Sequence, residues 1–157
     1  NMVYDGVPDP RVPTDSTSNH SSSGIHEWQQ LKYPDVGTST PIAKWSEAEL
    51  IIGEADVRDG DTGGAIAVIN TLHTRAGLPA YSGATDQASV LAQIIEERSR
   101  ELFLEGQRLY DVIRNNLPLQ PAPGSPYRNG GTYGPDGSQL CLKLPDIERA
   151  NNPNLNH

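Results

Sequence analysis

At 157 residues the chain suffices for one domain around one core, but only 35% of it is apolar and it carries 15 Gly and 13 Pro, so the core is modest and much of the chain is loop. A net charge of −8 argues against a nucleic-acid partner, because phosphates are neutralised by Lys and Arg. No apolar run approaches the roughly 20 residues of a membrane-spanning helix, no basic cluster marks a membrane surface, and no signal peptide is visible. The lone Cys141 has no partner for an internal disulfide and sits in an apolar run, where it reads as a buried small hydrophobe. His20, His26, His73 and His157 are scattered, with no spacing that would serve a catalytic cysteine.

Residues 1–40 are expected to be irregular. Pro8, Pro10, Pro13 and Pro34 punctuate them, and Asp15 to Gly24 is a Ser/Thr/Asn/Gly stretch. Residues 41–59 read as a helix with Thr40 as N-cap and Pro41 at its first position. Ile42, Trp45, Ile52 and Ala55, with Ala48 beside them, give it one apolar face, so Trp45 is read as core. Asp59-Gly60-Asp61 supplies a turn. A second helix, about 62–76, places Ile66, Ile69, Leu72 and Ala76 on its face and stops at Gly77, just before Pro79. The two make an αα-hairpin. Gly53 and Ala65, twelve apart, stand at the close-packing positions of a tetratricopeptide unit.

After a connection over 79–85, Thr85 or Asp86 is placed to cap a helix running to about Leu104, and a further helical piece spans 107–115. Gly106 between them predicts a kink or short break. At about 100° per residue, Leu91, Ile94, Ile95, Leu102, Leu109, Val112 and Ile113 share one broad face. Arg98 and Glu105 fall in the middle of that face, with Glu101 and Arg108 on its edge. Charges there are costly unless paired, and Arg98–Glu101 and Glu101–Arg108 are spaced to pair along such a stripe. Arg98, Glu101, Glu105 and Arg108 are therefore expected to form a structural ion-pair network. Glu97, Glu101 and Glu105 each have an Arg within reach and no His at helical spacing, which weighs against acid/base or metal chemistry. No cofactor or metal set is evident. Beyond Leu117 the chain is again Pro- and Gly-rich, with turns expected at Asn129-Gly130 and Asp136-Gly137 and one short extended segment over 139–144. The fold class is thus mainly α: two tetratricopeptide-like helical pairs over 41–116, with an extended segment 1–40 and an irregular tail 117–157, all in one domain.

The stretch ERSRELFLEGQRLYDVIR, residues 97–114, resembles the C-terminal signature of the SusD/RagB family, whose usual form is ERRRELAFEGHRWFDLRR. It departs at Gln107, where the family usually has His, and at Leu109-Tyr110, where Trp-Phe is common. KWSEAELIIGEA and AIAVINTLHTRAGL resemble the family's penultimate helical unit, and LKLPDIERANNPNL resembles its ending. Asp9-Pro10-Arg11 and Lys32-Tyr33 fall in the family's order. The resemblance covers only the C-terminal part of the family, so the chain is expected to be the C-terminal part of a larger protein.

Members of that family are outer-membrane lipoproteins that bind oligosaccharides at the cell surface and cap a TonB-dependent, SusC-like transporter; they are not enzymes. The resemblance implies the same here, with membrane contact only through a lipid anchor outside this chain. Sugar binding needs aromatic faces with polar groups beside them. Trp28, Tyr33, Tyr127, Arg128 and Tyr133, in expected loops, are the candidate ligand residues. A helical-repeat interaction module without a sugar ligand fits the hairpin equally well. A glycoside hydrolase would need two facing carboxylates about 5–10 Å apart, and nothing singles out such a pair.

Overall fold

The computed structural model describes residues 2–20, 26–118, 122 and 124–126, with the backbone alone at 16–20 and 26–27. The chain divides into two compact units, residues 1–111 and 112–157. The first unit is mainly helical and holds the sites considered below. The expected segment over 139–144 and Cys141 lie outside the described residues.

The described part of residues 1–40 holds more regular structure than its composition suggests. Strands β1 (Val3–Tyr4) and β2 (Val7–Pro8) pair antiparallel around Asp5-Gly6. Both turn residues have positive φ, 46° and 79°, the geometry that matches the twist of a two-residue hairpin. Strands β3 (Thr14–His20) and β4 (His26–Gln30) form a second antiparallel pair, with an irregularity between Ser16 and His20. The Ser/Thr/Asn run that reads as loop is thus a strand in part. Backbone pairing needs no apolar side chain, so the sequence carries no alternation to betray it.

Helix α1 (Trp45–Asp59) and helix α2 (Thr62–Ala76) form the expected hairpin, and helix α3 (Gln87–Glu101) packs against both. Gly60 (φ 92°) and Gly77 (φ 69°) end α1 and α2 in the left-handed region. Asp61 and Asp86 cap α2 and α3 by accepting from the amides of Gly64 and Ser89. Val57, Ala65, Ile69, Val90 and Ile94 make one buried cluster; Leu50, Val68 and Leu72 make another. Gly53 lets the helices approach closely. A Cβ there would lie 3.0 Å from Ile94 Cδ1 and 3.2 Å from Val68 Cβ.

Two expectations for α1 are corrected. The helix starts at Trp45, not Pro41, because Lys44 is held extended (φ −126°, ψ 145°) with its ammonium reaching Glu105 at 2.9 Å. Its buried face is Ser46, Leu50, Gly53, Glu54 and Val57, whereas Ile42, Trp45, Ile52 and Ala55 are exposed. Helix α3 ends at Glu101, five residues before Gly106. Leu104 (φ 61°) and Gly106 (φ 79°) turn the chain into helix α4 (Arg108–Arg114). The break resets the helical phase, which leaves Leu109 and Ile113 about half exposed.

Candidate ligand-binding site

Four segments meet at the start of α1. Lys44, Trp45 and Ser46 come from its first turn, Leu72, Arg75 and Ala76 from the end of α2, Glu101 from the end of α3, and Arg11 from the strand region. Together they line an open cleft of about 400 Å³. Trp45 is 46% exposed, and the Arg75 guanidinium lies over its ring at 4.5 Å from the centroid. A cation so placed is attracted by the indole quadrupole and holds the ring in orientation. A second hollow, lined by Asn70, Thr71 and Thr74, also borders Trp45 and Arg75.

The floor of the cleft is held by buried charge. Glu97 is fully buried, and its Oε2 accepts from Arg11 Nη1 at 2.5 Å. Its Oε1 lies 2.9 Å from His73 Nε2 and accepts from Gln93 Nε2 at 2.6 Å. His73 Nδ1 faces the Pro79 carbonyl at 2.6 Å, so both ring nitrogens meet oxygen, and Tyr4 packs edge-on at 4.3 Å. Arg11 also clasps Asp9 through Nε (2.9 Å) and Nη2 (2.8 Å), and Arg100 reaches the same carboxylate at 3.3 Å. Burial opposes the charge on both Asp9 and Arg11. The hydrogen bonds between them outweigh it, so Asp9 is held below the usual carboxylate range and the Arg11 pKa is raised. Glu105 likewise lies below its ordinary value: burial pushes upward, and hydrogen bonds from Lys32 (2.5 Å) and Lys44 (2.9 Å) more than offset it. Glu101 sits between two cations at longer range, 3.9 Å from Arg11 and 3.8 Å from Lys44, with its carboxylate in the cleft.

The four residues expected to pair along one stripe take different partners. Arg98 donates from Nε to Asp111 at 3.0 and 3.1 Å, Glu105 takes the two lysines, Glu101 faces Arg11 and Lys44, and Arg108 is exposed. Helix α3 stops before the stripe is complete, so its carboxylates meet cations from residues 11–44 instead. Among the candidate ligand residues, Trp28 is 56% exposed on β4 opposite Ser16. Tyr33 is half-buried under Lys32 (5.7 Å), with its hydroxyl buried and without a partner among the described residues. Tyr127, Arg128 and Tyr133 lie outside the described residues. Sequence reasoning missed Trp45, Arg75 and His73. The signals for the buried network are the Glu-rich stretch 97–105 and the Asp9-Pro10-Arg11 motif.

A family model described as the SusD family matches residues 25–139. The chain belongs to the SusD family. The starch-binding protein SusD of Bacteroides thetaiotaomicron is 32% identical over 127 residues, covering 72% of this chain and 21% of that protein. The chain thus spans about a fifth of the length of that curated relative. Among solved structures, a SusD superfamily protein from Bacteroides vulgatus aligns at TM-score 0.47 and 32% identity, over 48% of this chain and 16% of its own. A SusD-like protein from Bacteroides fragilis aligns at TM-score 0.46 and 32% identity, over 54% and 17%. The described residues of this chain are mainly helical, with four helices and four short strands. No helix among its described residues is long and apolar enough to cross a membrane.

Proposed function

We propose that the chain is part of a cell-surface protein that binds oligosaccharides for uptake through a TonB-dependent, SusC-like outer-membrane transporter. Membership of the SusD family carries this reading, and the relative of stated function is a starch-binding protein. Placement at the outer-membrane surface follows from the same reading. So does binding without turnover, and it is supported by the pairing of Glu97 with Arg11 and of Glu105 with Lys32 and Lys44.

The Trp45 cleft is the place we assign to sugar. Arg75 covers one face of the Trp45 ring and holds its orientation, the opposite face is the one assigned to pyranose C–H groups, and Ser46, Lys44 and Glu101 line the same cleft as hydrogen-bonding groups. The adjoining hollow suits a further sugar ring, as an oligomeric ligand requires. Trp28, exposed on β4, is proposed as a second platform, with Tyr33, Tyr127, Arg128 and Tyr133 as further contacts. Calorimetric titration with a panel of oligosaccharides, starch-derived ones included, tests the reading. Saturable binding that lengthens in affinity from disaccharide to longer chains is expected; no heat from any member, or hydrolysis of one by the purified protein, would overturn it.

One observation favours a second reading, a helical module that docks another protein. Helix α1 exposes Trp45, Ile51 and Ile52, and Ile42 is exposed in the segment just before it. Capture of a folded partner by this face, competed by no sugar, would mark that alternative.

A further inference from the structure

A second cleft lies where α3 gives way to α4. It measures about 590 Å³ and shares no lining residue with the Trp45 cleft. Its walls are largely apolar, from Leu102, Phe103, Leu104 and Leu109, and two guanidinium groups, Arg98 and Arg108, also line it. No carboxylate lines it among the described residues.

Arg98 is the informative group. It is 6% exposed, and its Nε is taken up by Asp111. Its Nη1 is buried with no hydrogen-bond partner among the described residues. A buried donor without an acceptor is unfavourable, and more so when it belongs to a charged group. Arg98 lines the cleft, so an acceptor that enters and displaces the side chains covering Nη1 would remove that cost. Arg108, exposed on the same cleft, adds a second cation to meet it. Guanidinium forks favour carboxylate and phosphate oxygens. Asp111, bound to Arg98 Nε, offsets part of the positive charge, which suits a monoanion better than a phosphate. The apolar walls call for an apolar body behind that anion.

We infer that this cleft binds a small monocarboxylate with an apolar body, its carboxylate on Arg98 Nη1 and Arg108 and its body among Leu102, Leu104 and Leu109. A free apolar acid and the C-terminus of an apolar peptide share this chemistry. Titration calorimetry at millimolar ligand, with 3-phenylpropionate and N-acetyl-leucyl-phenylalanine as probes and their carboxamides as controls, decides. Saturable binding of either acid is expected, at least about tenfold weaker for its amide and about tenfold weaker in Arg108→Gln. The tighter of the two acids identifies the source. Arg108 is exposed, so its replacement leaves the fold in place, and the acid–amide comparison needs no variant at all. No binding of either acid, equal binding of acid and amide, or unchanged affinity in Arg108→Gln would overturn the assignment.

Discussion

Asp9 and Glu105 tie the strand region and the start of α1 to the end of α3, through Arg11 with Arg100 and through Lys32 with Lys44. Both carboxyl groups have folded-state pKa values below their usual 3.8 and 4.5. In acid the unfolded chain binds more protons at these groups than the folded chain does. The stability they contribute is therefore complete above pH about 5 and is lost as pH falls through the depressed folded values. Melting temperature should hold from pH 7 to about 5 and then decline steeply, with a shallower acid decline in Glu105→Gln. A melting temperature that stays level down to pH 3 would contradict the ion pairs. These pairs were legible only in part. The Glu-rich motif announced paired charge, but Arg11 lies 86 residues from Glu97 and His73 lies 24 away, separations that helical spacing cannot express.

Helix α1 shows why a correct element can carry an inverted face. Both sides are apolar: Trp45, Ile52 and Ala55 on one, Leu50, Gly53 and Val57 on the other. Periodicity selects the side with the bulkier residues. Packing selects the side with Gly53, because only there can α2 and α3 come within 3.0–3.2 Å of a Cβ position. The ends expected at the 59–61 turn, at Gly77 and at Asp86 stand, since these residues act through local backbone geometry that the sequence spells out, whereas the start of α1 and the end of α3 fall several residues from where periodicity places them. Leu50→Ala should cost about 2–5 kcal/mol, as expected for a fully buried leucine. Ile52→Ala, on the exposed face, should stay within about 0.5 kcal/mol. Urea melts of the two variants check this, and the reverse order would show that the faces are exchanged.

For the molecule as a whole, family and mainly helical build were readable from the signature around residues 97–114 and the hairpin before it. The position of the ligand cleft was not. Four segments far apart in sequence make it, and its indole looks like core when α1 is read alone. Trp45 is the residue proposed to receive sugar. The chain has two tryptophans, Trp28 and Trp45, so each can be read alone by intrinsic fluorescence. Titrating oligosaccharide into Trp28→Phe and Trp45→Phe separates them. A saturable change in emission is expected in Trp28→Phe, with Trp45→Phe binding at least about tenfold more weakly. A full response at undiminished affinity in Trp45→Phe, with none in Trp28→Phe, would contradict it and place the sugar on β4.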